Sequence, residues 1–246
     1  MIHCLRDSAS SVRQAAADAL GKMNADTQMS MLGELTQMFD DPCEKCRNAV
    51  VGVVGRLQSA VQRAASRRWA ELLRHQDHIR MSVPSRETAM RAMQCLTLAG
   101  NSDVADVVRA ALSSNVLSVR RLAADMYLSL PQDTQKELAE DVTWLLCLTG
   151  SGSREVRQTA TAVVGSMSED VQLACMHAVV SLMNKSKPEI QDAAVAAVSH
   201  MQRNVQEVAG KAISELLLST EAKYAKTRMT ALRAIGWAGK NKHAGL

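Results

Sequence analysis

Two thiols separated by two residues, Cys43-Glu-Lys-Cys46, have the spacing to share a zinc ion or to cycle as a disulfide. A structural zinc site takes four ligands, and the remaining cysteines, Cys4, Cys95, Cys147 and Cys175, are scattered with no second Cys or Cys/His pair at finger-like spacing. Cys46 also stands in register with Val12 and Val119, so it reads as a small buried apolar residue. His75 and His78 flank Asp77, a combination that could bind a metal or move protons. Their spacing suits one helical face less well than i, i+4 would. No catalytic residue, metal ligand or cofactor is therefore assigned, and the expectation is a chain without enzymatic activity or a small-molecule substrate.

The remaining chemistry is that of fixed charge. The net charge of +4 hides unlike segments: residues 1–55 carry a net −2, 56–91 a net +5, 92–222 a net −5 and 223–246 a net +6. In the first basic zone Arg67, Arg68, His75, Arg80 and Arg86 are candidates to meet an anionic partner, a phosphate or a nucleic-acid backbone. They cluster around the longest repeat, whose extra loop is expected from about His75 to Arg86. A solvated helix face would look the same. Base stacking is poorly served, because Trp69 is the one aromatic residue near these arginines.

These residues must be positioned by helices. Hydrophobic residues make up 47% and aromatic residues only 2%, so any core is built from Ala, Val, Leu and Met, which suits closely spaced helices. Strictly alternating runs bounded by Asn-Gly or Asp-Gly are absent, and the chain reads as all-α. No run approaches about 18 apolar residues, so membrane insertion is not expected. The start MIHCLRD lacks the layout of a signal peptide. Scattered cysteines fit a reducing compartment, and the expected location is intracellular, cytoplasmic or nuclear.

Self-similarity organises the whole sequence. DSASSVRQAAADALG from Asp7 returns as DPCEKCRNAVVGVVG from Asp41, and again as SNVLSVRRLAADMYL, SGSREVRQTATAVVG, KSKPEIQDAAVAAVS and AKYAKTRMTALRAIG, with a weaker VPSRETAMRAMQCLT. Aligned on the Val-Arg position the copies fall at Val12, Cys46, Thr88, Val119, Val156, Ile190 and Thr227, with steps of 34, 42, 31, 37, 34 and 37. A second amphipathic helix lies between copies, as in Val205, Val208, Ala209, Ala212, Ile213 and Leu216. Asp41 with Pro42 and Glu44 suggests an N-cap, a first-turn proline and a capping box, and Thr134 with Glu137 suggests another box. Gly21, Gly55, Gly165 and Gly236 recur near the far end of these helices, where a glycine admits either close approach of the next helix or termination.

The Asp, Val-Arg, Ala and Leu-Gly pattern of Asp7, Val12, Arg13, Ala16, Leu20 and Gly21 resembles the HEAT repeat, an armadillo-type α-solenoid family. That resemblance implies a right-handed α-solenoid of about seven helical hairpins, the first incomplete, over residues 1–237. Second helices are expected near residues 8, 42, 85, 115, 153, 187 and 224, with a flexible tail at 238–246. It also implies a structural ladder between repeats made by Asp7, Arg13, Asp41, Arg47, Arg120 and Arg157, with Gln191 and Ala89 departing from the pattern. The second helices would line a concave face, on which Gln14, Asn48, Arg121, Gln158 and Asp192, one residue beyond the ladder, are the expected contacts for a partner. The function implied is a scaffold holding another protein or peptide within a larger assembly. Polyanion binding through residues 56–91 and 223–242 is the alternative. Chromophore-attachment chemistry, known for some short HEAT-like arrays, is a third possibility resting on the fold resemblance alone.

Overall fold

The structure, a computed structural model, describes residues 1–74, 81–96, 102–114, 116–150 and 152–219, together with 229 and 233. Its regular elements are helices, and there is no strand among the described residues. After a short 3-10 turn at Ile2–Arg6 come α1 (Ser10–Gly21), α2 (Ala25–Gln37), α3 (Glu44–Val54), α4 (Ser59–Arg74), α5 (Val83–Gln94) and α6 (Ser102–Leu112). These are followed by α7 (Leu117–Ser129), α8 (Gln132–Leu145), α9 (Ser153–Ser166), α10 (Glu169–Ser181), α11 (Pro188–His200) and α12 (Arg203–Ser219). The Val-Arg copies occupy the odd-numbered helices. The helix expected near 224 and the tail 238–246 lie outside the described residues, Met229 and Arg233 excepted.

Helix starts depart from the capping signals in an instructive way. The N-cap of α3 is Cys43, not Asp41, because the Asp41 carboxylate accepts the Cys43 amide at 2.9 Å and closes a turn before the helix begins. Thr134 is likewise inside α8, whose N-cap is Pro131. Pro188 does take the first turn of α11, where its missing N–H costs nothing. The segment thought to form a loop up to Arg86 instead enters α5 at Val83, with Ser82 as the cap and its hydroxyl accepting the Ser85 amide at 3.2 Å. Arg86 is thus helical.

The described chain divides into two compact units, Met1–Ala111 with Arg121–Met126, and Leu112–Arg120 with Tyr127–Leu246. Within the first unit α1 packs on α3 and α3 on α5, while α2 packs on α4. Within the second, α9 packs on α11, and α8 on α10 and α10 on α12. Within each unit odd helices thus stack on odd and even on even, in two layers whose apolar sides seal each other. That is the arrangement of an α-solenoid, in which each hairpin buries its greasy stripe against the next one rather than around a central core. Core positions are mostly small or flexible: Ala16, Val50, Val53, Met90 and Met93 in the first unit, Val163, Val179, Met183 and Ala194 in the second. The bulky exceptions include Tyr127 and an aromatic pair. Phe39 and Trp69 meet edge to face at 5.1 Å, and the Trp69 indole N–H donates to Thr36 Oγ1 at 2.9 Å.

Glutamine joins the layers. Gln28, Gln62, Gln135, Gln172 and Gln206 each occupy the fourth position of an even helix, and each follows its Val-Arg position by 16 residues. Gln172 Nε2 donates to Val164 O at 2.8 Å and Gly165 O at 3.3 Å, engaging the carbonyls left open at the end of α9. Its Oε1 accepts the Gln202 amide of the next repeat at 2.7 Å. Gln28 repeats this geometry on Leu20 O, Gly21 O and the Gln58 amide. Gln135 and Gln206 cap the ends of α7 and α11 in the same manner, and Gln62 Nε2 donates to Leu57 O at 2.9 Å. In these five hairpins the step from the Val-Arg position to the Gln is constant, whereas the step from Gln to the next Val-Arg position varies from 18 to 26 residues.

Candidate partner-binding grooves

At five of the copies the residue after the Val position reaches back to its own turn. Arg13 Nη1 donates to Asp7 O at 2.6 Å and Ser8 O at 2.9 Å, and Arg47 Nη1 to Asp41 O at 2.7 Å and Pro42 O at 3.3 Å. Arg120 Nη1 donates to Ser114 O at 2.7 Å, and Arg157 Nη1 to Leu148 O. Gln191 does the same work with Nε2 on Met183 O and Lys185 O. The ladder implied by the family resemblance runs from Arg to Asp across repeats; here the guanidinium groups close main-chain turns instead. Asp7 and Asp41 accept amides two residues on, from Ala9 and Cys43. Ion pairs between repeats are made by Arg6, whose Nε lies 2.8 Å from Asp41 Oδ2, and by Arg56, whose Nε lies 3.1 Å from Asp18 Oδ1. Arg6 escaped the sequence reading because it sits just ahead of the aligned block.

One residue further along α1, α3, α7, α9 and α11 the side chain turns to solvent, with Gln14, Asn48, Arg121, Gln158 and Asp192 all exposed, whereas the equivalent Met90 of α5 is buried. In the first unit, Gln14 and Asn48 border a groove of about 220 Å³ between α1 and α3, with Ala17, Ala49 and Gly52 on its floor. Arg13, Lys45 and Arg56 give that groove a cationic rim. In the second unit, Gln158 and Asp192 border a larger groove of about 630 Å³ between α9 and α11, floored by Ala162, Ala193 and Ala196. Its charges are balanced, with Arg154 and Arg157 set against Glu189 and Asp192. Gln14 Nε2 donates to Asp18 Oδ1 at 3.1 Å, and Asp192 Oδ1 lies 3.2 Å from Arg233 Nη1. The amides of Asn48 and Gln158 make no hydrogen bond among the described residues.

Arg67 and Arg68 are exposed on α4, while Arg86 is half-buried on α5 with its Nε enclosed. The anion-binding candidates are thus not equivalent. His75 and Arg80 lie outside the described residues, as do His78 and Asp77. Among the described residues no three His, Cys, Asp or Glu side chains converge as metal ligands, and no helix is long and apolar enough to cross a membrane.

No family model and no curated protein matches the chain. Among solved structures it is similar to an engineered protein determined as a structural-genomics target, at 20% identity over 93% of this chain and 96% of the other, with a TM-score of 0.33. A designed armadillo repeat protein matches at 15% identity, covering 96% and 98% of the two chains with a TM-score of 0.27. A related design in complex with the peptide (KR)4 matches at 15% identity over 95% and 97%, with a TM-score of 0.28.

Proposed function

We propose that the chain is a HEAT-type, non-catalytic scaffold whose odd-helix grooves hold extended segments of a partner protein. The observation that carries this reading is the pair of grooves, one in each unit, each bordered by exposed polar side chains over a floor of small residues. An extended strand presents alternating N–H and C=O groups, and a side-chain amide can donate and accept at once. Among the described residues Asn48 and Gln158 have both functions open. Small floor residues let a main chain approach closely, and a preformed rigid groove lowers the ordering cost of binding.

The test is to place a photo-crosslinker at Asn48 or Gln158 and, as the control, at Glu137 on α8 or Lys211 on α12. The partner should be captured from the odd-helix positions. Asn48→Ala and Gln158→Ala should then each weaken binding of the purified partner roughly fivefold, the effect of losing about 1 kcal/mol of hydrogen bonding. Capture from the even helices alone, or turnover of a substrate by the isolated chain, would falsify the scaffold reading. A second reading, polyanion binding, draws on the exposure of Arg63, Arg67 and Arg68 along α4.

A further inference from the structure

Cys43 and Cys46 play unequal parts at the start of α3. Cys43 is the N-cap, exposed, with φ −84° and ψ 115°, and its side chain makes no cap hydrogen bond. Cys46 is three residues on and 4% exposed, in the layer where α3 packs on α1 and α5. The Cys46 amide donates to Cys43 O at 3.0 Å, closing the first turn, and residues three apart on such a turn have Cα atoms about 5 Å apart, inside the Cα span a disulfide bridges. Both thiols are free in this structure. The repeat does not ask for this pair, since the N-cap of α1 is Ala9 and that of α7 is Val116.

We propose that Cys43 and Cys46 form a reversible dithiol–disulfide couple, with Cys43 as the attacking thiol and Cys46 as the resolving one. The polar groups of Cys46, its main-chain amide first and its thiol second, hold the Cys43 thiol below the ordinary cysteine value, against burial and the lesser charge of Asp41. Burial pushes Cys46 up to about 11, and its donation to Cys43 adds to this, with Arg13 opposing. One thiol is thus ready to attack while its partner keeps its proton.

The co-reactant is the disulfide of a small thiol. The Cys43 thiolate attacks one sulfur, the S–S bond breaks, and a small thiolate leaves, giving a mixed disulfide on Cys43. Cys46 then surrenders its proton to solvent and attacks Cys43 Sγ, expelling the second small thiolate. The protein dithiol loses two electrons, the small disulfide gains them, and the two protons end on the released thiols.

The test uses the full chain with iodoacetamide and then oxidised glutathione, read by peptide mass mapping. Cys43 should alkylate at pH 7 at least about fivefold faster than the exposed Cys4. With oxidised glutathione, the wild-type chain should lose two hydrogens and link residues 43 and 46. Cys46→Ser should accumulate a glutathione adduct on Cys43, and Cys43→Ser should leave Cys46 unmodified. A wild-type chain that retains glutathione on Cys43 with Cys46 still free, or a Cys43 no faster than Cys4, overturns the proposal.

Discussion

Arg120 is a charged side chain only 2% exposed, with one hydrogen bond from Nη1 to Ser114 O and no partner for its Nε. Gln191 closes the equivalent turn of α11 with a neutral amide. Arg120→Gln should therefore keep the cap while relieving a buried charge, leaving stability within about 1 kcal/mol of wild type. Arg120→Ala leaves the carbonyl unmet and should cost about 2 kcal/mol; urea midpoints measure both. Tyr127 gives a pH-dependent counterpart. Its hydroxyl is buried and donates to Gln135 O at 2.8 Å, and burial, with a lesser contribution from Cys175, raises its pKa well above the ordinary value. A raised folded pKa means that the neutral form is favoured on folding. The stabilisation is complete below about pH 10, the unfolded tyrosine value, and declines as pH rises beyond it. The stability gap between wild type and Tyr127→Phe, about 1 kcal/mol at pH 8, should accordingly narrow by pH 10.5 in urea titrations.

At the scale of the helix, the recurring glycines are not equivalent. A Cβ on Gly165 would stand 2.8 Å from the Cβ of His200, and one on Gly21 2.8 Å from the Cβ of Arg56, so the ends of α9 and α1 touch the next odd helix there. At Gly55 the nearest atom is Cys95 O at 3.9 Å. Gly165→Ala should cost about 1–3 kcal/mol by forcing the helices apart. Gly55→Ala should be neutral or gain about 0.5 kcal/mol; thermal melts would reveal the opposite signs. Gln172→Ala removes two donors and one acceptor from buried partners and should cost about 2–3 kcal/mol, with faster amide exchange at Gln202. The odd helices were legible because Val-Arg, Ala and Gly recur in one amphipathic frame. The glutamines recur as regularly, 16 residues later, yet escaped notice because Gln normally marks a solvated surface. The caps were misplaced for a local reason: Asp41 makes a two-residue turn with its own chain, and sequence alone does not say whether the helix begins on either side of that turn. Outward placement of Gln14, Asn48, Arg121, Gln158 and Asp192 followed from period alone, but the closing of turns by the arginines beside them did not.

Across the molecule, charge is distributed by segment, and the net +5 of residues 56–91 includes Arg63, Arg67 and Arg68 exposed along α4. If that face meets a polyanion, heparin affinity should fall with salt along a log–log slope. Reversing Arg67 and Arg68 to Glu should flatten the slope by about 2, one for each ionic contact removed. Retention that ignores salt, or an unchanged slope in the double variant, removes this reading and leaves the grooves untouched, since Asn48 and Gln158 are uncharged.

The glutamine joints carry a consequence for environment. A carboxamide neither gains nor loses a proton in any physiological compartment, and it attracts no counter-ion cloud for dissolved electrolyte to dilute. Neighbouring hairpins mortared in this way keep their grip through acidification or brine that would loosen a wall built of ion pairs.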